Sequence, residues 1–139
     1  MVVLKKVLFL LVLLQLVNCG SSAVLLTEKP LSNYKVVILS PMAKDEFNIA
    51  PHILKRFKEL GFRVLVEAPL NSNNIEISQL NIKYEDGWDL SRYVKSIQIQ
   101  LSDYKTKELL FTADYYSSAL TSTETAVNRL FSKVYPYFR

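Results

Sequence analysis

The chain has 139 residues, half of them hydrophobic, with one cysteine and three glycines, which is enough for one domain with one apolar core. Its formal net charge is +4, but no run of basic residues is long enough to predict a nucleic-acid footprint. The few glycines exclude a glycine-rich phosphate-binding loop, and the single cysteine excludes a disulfide framework.

The amino-terminal segment carries the basic pair Lys5-Lys6, followed by an apolar run over residues 7–17 that is interrupted only by Gln15. As a helix, these eleven residues would span about 16 Å, roughly half the hydrocarbon core of a bilayer. The run is therefore too short for a stable membrane span and is typical of the apolar region of a secretory signal.

The sequence Leu16-Val17-Asn18-Cys19 at the end of this run resembles the lipobox of bacterial lipoproteins, in which the cysteine is acylated before cleavage in front of it. Leu16 stands where that pattern requires, whereas Asn18 departs from the usual Gly, Ala or Ser. The resemblance implies lipidation at Cys19 by acyl chains such as palmitate, and several chains hold a protein stably on a membrane. An ordinary cleaved signal and an uncleaved anchor remain as alternatives.

This resemblance predicts three segments: a signal peptide over residues 1–18, a lipidated tether over residues 19–33, and a single α/β domain over residues 34–139. Loss of the signal would leave fifteen basic against thirteen acidic residues, a net charge of +2. Gly20 after the cysteine implies, by analogy, the outer membrane facing the periplasm. With the cysteine acylated, the domain must be stabilised by its apolar core alone.

The first half of the domain is predicted to be a βαβ unit with a right-handed crossover. Residues 34–40 form a β-branched run, typical of a strand buried on both faces. A helix is expected to begin between Asp45, a good N-cap, and Pro51, and to end at Gly61. Residues 62–67 alternate as the second strand.

Three further strands and a helix are predicted in the second half, the strands over residues 75–84, 96–101 and 109–116. Residues 85–89, Glu-Asp-Gly-Trp-Asp, are predicted to be a turn. Val94 and Lys95 break the alternation of the fourth strand, so that its regular part begins after them. Thr121 and Glu124 have the spacing of a capping box for the second helix.

The predicted order is β-α-β-β-β-β-α. A mixed sheet with both helices on one face, a two-layer α/β sandwich of the α+β type, buries every apolar stripe. The other face of the fourth and fifth strands is polar enough to stand in water, through Gln98, Gln100, Thr112, Asp114 and Tyr116.

Residues 84–94, Tyr-Glu-Asp-Gly-Trp-Asp-Leu-Ser-Arg-Tyr-Val, and residues 97–110 resemble a group of small uncharacterised bacterial lipoproteins. In that group a Tyr/Asp/Trp-Asp turn precedes a strand and an Asp-x-x-Thr-Gly turn closes a hairpin, where Lys107 here replaces the Gly. The order of elements also resembles lipoprotein domains of the TolB amino-terminal, curli-secretion and penicillin-binding-protein-activator types. Those proteins bind other proteins and are not enzymes, so the resemblance implies neither an active site nor a cofactor.

Few residues are candidates for chemistry. His52, the only histidine, has no partner at a metal-ligand or general-base spacing and is expected to be at the surface or half-buried. Glu85, Asp86 and Asp89 could coordinate Ca²⁺, but they lack EF-hand spacing and cap a turn in the simpler interpretation. Asp103 is expected to bind the backbone of its own turn.

Two aromatic residues are candidates for a partner contact. Trp88, the only tryptophan, is either an exposed anchor for a partner or a plug in the core. Tyr116 lies on the predicted outer face of the sheet. No catalytic, cofactor-binding or metal-binding residue is predicted, and Cys19 is the one modification site.

Three functions remain open. The leading hypothesis is a non-enzymatic envelope lipoprotein that uses the sheet edge or outer face to bind another envelope protein or a second copy of itself. It would contact the membrane through Cys19 and would not bind nucleic acid. The second is a carrier of a small molecule or lipid between helices and sheet, and the third is hydrolysis by Glu85 and Asp89.

Overall fold

The computed structural model describes residues 2–3, 19–68, 75–118 and 120–138. Most of the predicted signal peptide, residues 4–18, therefore lies outside the described residues. The strands are β1 (Cys19–Leu25), β2 (Val36–Leu39), β3 (Arg63–Leu65), β4 (Ile77–Asp89), β5 (Ser91–Asp103) and β6 (Leu109–Ser117). The helices are α1 (Ile49–Glu59) and α2 (Thr123–Val134), with short 3₁₀ turns at Leu31–Asn33 and Tyr135–Tyr137.

The six strands form one mixed sheet in the order β1-β6-β5-β4-β2-β3. β2 is parallel to both β3 and β4, and the remaining pairs are antiparallel. The predicted fold class, a mixed sheet with two helices, is confirmed. Neither helix in the described parts of the chain has the length and apolar character needed to cross a membrane.

Strand β1 was not predicted from the sequence. It pairs antiparallel with β6, from Cys19 opposite Ser117 to Leu25 opposite Phe111. The first seven residues of the segment interpreted as a tether are therefore part of the sheet. Within that segment, only residues 26–33 lie outside a strand.

The direction of each strand decides what lies at each end of the sheet. β2, β3, β4 and β6 run one way, while β1 and β5 run the other. Cys19 therefore lies at the same end as the β4–β5 connection and the last residue of β6. We call this the arm end, after the β4–β5 hairpin whose tip lies there. We call the opposite end, which carries the β5–β6 connection, the turn end.

The main core fills the space between the sheet and the two helices, which pack on the same face. Ile53 and Phe57 of α1 and Leu130 and Phe131 of α2 are fully buried there. The ring of Phe57 makes edge contacts with Phe131 at 5.7 Å between centroids. A smaller cluster lies on the other face of the sheet around Val36, Ile38 and Ile77, so β2 is buried on both faces as predicted.

Both helix starts use a side-chain cap. The carboxylate of Asp45 accepts hydrogen bonds from the amides of Ile49, at 2.7 Å, and Ala50, at 2.9 Å, which satisfies two of the free amides of a first turn. At α2 the cap is Ser122, whose hydroxyl accepts from the amide of Thr125 at 3.2 Å. The cap predicted at Thr121 is therefore wrong by one residue, and the capping-box position after Ser122 is held by Thr125 instead of Glu124.

Candidate functional site

The β4–β5 hairpin extends beyond the rest of the sheet. β2 pairs with β4 only as far as Leu80, and β6 pairs with β5 only from Ser96 onward. Residues 86–95, which we call the arm, therefore pair in the described structure only with each other. The arm projects from the sheet as a two-stranded ribbon.

A bulge marks the base of the arm. Glu85 pairs with Ser96, but the next residue, Asp86, pairs with Val94, which leaves Lys95 as the extra residue. This bulge is the physical reason that Val94 and Lys95 break the alternation in the sequence. The turn predicted over residues 85–89 is wrong, because these residues are the last part of β4 and the chain reverses at Leu90.

The tip of the arm carries two exposed apolar side chains. Trp88 is 74% exposed and Leu90 is 94% exposed. The interpretation of Trp88 as a plug in the core is therefore wrong, and the alternative that it is an exposed anchor remains. Leu90 has a positive φ of 58°, a conformation that disfavours a branched apolar residue.

An ionic cluster fixes one side of the arm to the loop before α1. The guanidinium of Arg92 donates to Asp86 Oδ2 from Nε at 2.9 Å and from Nη2 at 2.7 Å, and also to Glu46. The same group lies 5.5 Å from the ring centroid of Phe47, and this ring packs edge-on against Tyr84 at 5.8 Å. The hydrogen bonds from Arg92 hold the pKa of Asp86 below its ordinary value.

The other side of the arm is held by a tyrosine ring lying on a glycine. Tyr93 is paired across the hairpin with Gly87, and a Cβ added to Gly87 would stand 2.5 Å from Cζ of that ring. The Tyr93 hydroxyl donates to the carbonyl oxygen of Ser118 at 3.5 Å. Only glycine leaves room for the ring, and the hydrogen bond from the ring's hydroxyl joins the arm to the residue that follows β6.

An open groove of about 850 Å³ crosses the sheet face opposite the helices. The loop of residues 41–44 borders it. Its lining on β4, β5 and β6 mixes polar residues such as Lys83, Gln98 and Asp114 with apolar ones such as Ile82, Ile97 and Tyr115. Gln98 Nε2 donates to Asp114 Oδ1 at 3.0 Å. The outer face is therefore polar and partly exposed, as predicted.

Tyr116 is one of the residues that line this groove. Its side chain is 41% exposed, and the ammonium group of Lys95, the bulge residue, lies 6.0 Å from its ring centroid. The groove thus combines an aromatic surface with charged and amide groups, which is a composition suited to polar contacts.

The residues considered for metal binding or acid–base chemistry do not come together as a site in the described part of the chain. His52 is half-buried on α1. Within residues 19–68, 75–118 and 120–138, no three His, Cys, Asp or Glu side chains come together as a group that could hold a metal ion. Asp86, one of the three acidic residues considered for Ca²⁺, is bound by Arg92.

Asp103 binds its own turn, as predicted. One carboxylate oxygen accepts from the amides of Lys105 and Thr106, both at 2.9 Å, and the other accepts from the hydroxyl of Tyr34 at 2.8 Å. Burial alone would raise the pKa of Asp103, but these hydrogen bonds outweigh burial and lower it. Burial and the bond to Asp103 raise the pKa of Tyr34. Lys107 occupies the left-handed region, with φ of 64°, where the resembling lipoproteins have glycine.

The backbone of Cys19 begins β1 at the arm end, while its side chain lies outside the described residues. The structure therefore gives the position of the predicted lipidation site along the sheet. Trp88 and Tyr116 are likewise on the arm-end half of the hairpin strands, on the tip and on the outer face respectively.

No protein-family model matches the chain, and no curated protein matches it significantly. Among solved structures it is similar to a PelC variant from Paraburkholderia phytofirmans, solved as a dodecamer, with a TM-score of 0.52 and 13% identity over 86% of this chain and 96% of PelC. A second PelC dodecamer structure gives a TM-score of 0.50 and 15% identity over 85% and 97% of the two chains.

A PDZ domain protein from Parabacteroides distasonis matches with a TM-score of 0.50 and 13% identity over 86% of this chain, which spans 36% of that protein. A minor lipoprotein from Acinetobacter baumannii matches more weakly, with a TM-score of 0.37 and 13% identity over 76% of this chain and 82% of that protein. At these identities the first three likenesses show a shared fold, and the fourth carries no argument.

Proposed function

We propose that this protein is a lipid-anchored lipoprotein of the bacterial envelope, on the periplasmic side of the outer membrane, whose domain binds another protein or a second copy of itself without catalysing a reaction. The observation that carries the binding role is the outer-face groove. It is open, and its lining includes side chains that can donate, accept and stack, among them Asp114 and Tyr116.

The composition of the groove favours a protein partner. Aromatic residues such as tyrosine are enriched at protein interfaces, which have a polar rim, and the groove places Tyr116 beside Gln98 and Asp114. The assembly of PelC, whose solved form is a dodecamer, favours self-association as the form that the binding takes. The basic pair, short apolar run and Leu16-to-Cys19 motif in the sequence support the anchor.

Site-specific photocrosslinking in intact cells tests the binding role. A benzophenone amino acid replaces Tyr116 in the groove, and the matched control replaces Lys58, which is exposed on α1 away from the sheet. We expect a discrete adduct from position 116 and none from position 58. Absence of an adduct from position 116, with a monomeric purified protein, would contradict the proposal.

The anchor has a separate test. Mass spectrometry of the mature amino terminus is expected to show acyl chains on Cys19, and Cys19→Ser is expected to release the protein from the membrane fraction. An unmodified amino terminus on a protein that stays freely soluble would remove the envelope lipoprotein from consideration, whatever the groove binds.

The groove also favours a second candidate, a carrier of a small molecule. Its volume of about 850 Å³ is within the range of small-molecule pockets. The layer between helices and sheet, where an apolar ligand was expected, is filled by large buried side chains such as Phe57, Phe111 and Phe131. A carrier would therefore hold its ligand on the outer face, and a small molecule copurifying with the wild type but not with Tyr116→Ala would support it.

A further inference from the structure

We infer that the arm end of the domain is a membrane-docking face, and that Trp88 and Leu90 insert into the same lipid leaflet that holds the acyl chains of Cys19. This inference rests on the lipid anchor of the proposed function and adds a second, protein-borne contact with the bilayer. The occupant of the arm tip is thus the lipid surface itself.

The first argument is where exposed apolar side chains lie. Within residues 19–68, 75–118 and 120–138, the large hydrophobic residues that are more than half exposed are Val66, Trp88, Leu90 and Leu120. Val66 follows the end of β3, and Leu120 stands three residues after the end of β6. Trp88, Leu90 and Leu120 therefore lie at the arm end, where Cys19 begins β1, whereas Val66 stands level with Leu80 and Leu25, nearer the turn end.

The second argument is reach. Gly20, Tyr116, Ser96 and Glu85 form one row across the sheet, and Asp89 stands four residues beyond Glu85 on β4. At about 3.3 Å per residue, the tip projects roughly 13 Å past that row, and roughly 10 Å past Cys19, which is one residue beyond Gly20. A lipidated Cys19 lies at the bilayer surface, and interfacial side chains enter roughly 5–10 Å below it, so the tip reaches that depth.

The third argument is the chemistry of the tip. Tryptophan is the side chain, with tyrosine, that concentrates at the interface between water and hydrocarbon. Leu90 is disfavoured twice in water, by its 94% exposure and by its left-handed φ, which glycine or asparagine adopts more readily. Insertion into lipid removes the first of these costs, because a leucine gains by leaving water.

The charges around the tip indicate that its apolar side chains, and not electrostatic attraction, bring it to the bilayer. Residues 85–91 contain three acidic residues and no lysine or arginine, and the nearest cation, Arg92, is already bound to Asp86 and Glu46. Attraction to anionic headgroups is therefore not what brings the tip to the bilayer. We expect docking on neutral phosphatidylcholine vesicles that is insensitive to salt, unlike binding through basic patches.

The arm presents this tip already formed. Arg92 fixes one side of the ribbon to the loop before α1, and the Tyr93 ring on Gly87 fixes the other to the end of β6. A tip held in this way does not have to be ordered when it inserts, so less free energy is lost on docking.

The intrinsic fluorescence of Trp88 tests the inference directly, because it is the only tryptophan. The full lipidated protein is reconstituted in phosphatidylcholine vesicles that carry bromine atoms at defined depths on the acyl chains. We expect a blue-shifted emission, quenching that is strongest for the shallowest bromines, and protection from iodide in the water.

Two variants with the same chemical change sharpen the test. Leu90→Asp is expected to return the emission and iodide quenching of Trp88 toward those of exposed tryptophan. Leu26→Asp, at the turn end and 48% exposed, is expected to leave both unchanged. For non-acylated Cys19→Ser protein, we expect Leu90→Asp to weaken vesicle partitioning by about tenfold or more, since one buried leucine is lost.

The outcomes separate the two proposals. A lipidated protein that sits on vesicles while Trp88 remains red-shifted and fully quenched by iodide would overturn the docking inference and leave the lipoprotein proposal intact. Protection from iodide without bromine quenching would also overturn it, and would assign the tip to a second copy of the chain. An unmodified Cys19 would refute the anchor, and quenching by bromine in that protein would still support insertion of the arm.

Discussion

The two hairpins that share strand β5 end in opposite ways. At the turn end, the carboxylate of Asp103 accepts hydrogen bonds from Tyr34, Lys105 and Thr106, and Lys107 lies 4.5 Å from the ring centroid of Tyr104. At the arm end, the hairpin leaves Trp88 almost three-quarters exposed. One turn is satisfied by its own chain, whereas the other presents apolar surface to its surroundings.

This difference separates a structural hairpin from a functional one. The Asp103 turn joins β5, β6 and the chain before β2, and both oxygens of its carboxylate have partners on the domain. The arm is also fixed, through Arg92 and Tyr93, but only at its sides, so the fixed part ends where the exposed side chains begin. A rigid stem that carries an apolar tip is typical of a contact made outside the domain.

Removal of the Asp103 carboxylate is expected to have the largest effect on stability. Asp103→Ala deprives two amides and the buried Tyr34 hydroxyl of a charged acceptor, which costs about 3 kcal/mol or more. Urea unfolding measures the loss. The matched control is Asp89→Ala at the tip of the other hairpin, which is expected to stay within about 0.5 kcal/mol of wild type. Equal losses for the two variants would remove the contrast between the hairpins.

Filling the space above Gly87 tests whether the arm is held at its base. Gly87→Ala places a methyl group where the Tyr93 ring lies, at 2.5 Å from Cζ, and we expect a loss of about 1–3 kcal/mol from overpacking. Truncation of the ring in Gly87→Ala/Tyr93→Ala should recover part of this loss, so that the two changes are not additive. Additive losses would show that the ring does not rest on the glycine.

The pair formed by Asp103 and Tyr34 at the turn end makes stability depend on pH. Because the pKa of Asp103 is lower in the folded protein than its ordinary 3.8, its contribution is complete above that value and is lost as the pH falls toward the folded pKa. The pKa of Tyr34 is raised on folding, so stability is also lost as the pH rises above 10. Chemical unfolding across pH 2–6 should show a steeper acid loss for the wild type than for Asp103→Asn.

Tyr34→Phe gives an intermediate step in the same series. It removes the hydrogen bond from the tyrosine hydroxyl to the carboxylate, and we expect a loss of about 1–2 kcal/mol at neutral pH. The acid loss should be shallower than in the wild type, because the folded pKa of Asp103 moves back toward its ordinary value. A wild-type acid profile in Tyr34→Phe would mean that the hydrogen bonds from Lys105 and Thr106 set that pKa without Tyr34.

Hydrophobic periodicity was enough to predict most of this fold. The two helices, with their apolar stripes and the glycine at position 61, lie where the pattern indicates, and so do the strands that have dense β-branched runs. Strand β1 could not be predicted in this way, because Cys-Gly-Ser-Ser-Ala-Val-Leu is poor in strand-forming residues. It is a strand because β6 offers it an unpaired edge.

The arm could be predicted only in part, because tertiary contacts override its composition. Residues 85–89 have the composition of a turn, yet they form the end of β4, where the Tyr93 ring packs directly on Gly87. Two signals were present in the sequence. The break at Val94 and Lys95 marks the bulge. Asp86 and Arg92 are opposite charges at diagonal positions of the hairpin, because Arg92 pairs with Trp88, two residues from Asp86.

The smallest effect, and the sharpest comparison within the arm, concerns Arg92. Its ion pairs with Asp86 and Glu46 are largely exposed to solvent, and such pairs contribute little to global stability. We therefore expect Arg92→Ala to leave the urea midpoint unchanged while amide hydrogen exchange over residues 86–95 becomes roughly threefold faster.

Arg92→Lys separates the charge of this residue from its geometry. Lysine keeps the positive charge but cannot donate from Nε and Nη2 together to Asp86, so if the forked bond holds the arm, exchange in Arg92→Lys should match that in Arg92→Ala. High salt should narrow the difference between wild type and both variants, since it screens exposed pairs. Unchanged exchange in Arg92→Ala would leave the Tyr93 ring as the contact that holds the arm in place, and would make Gly87→Ala the variant that releases the tip.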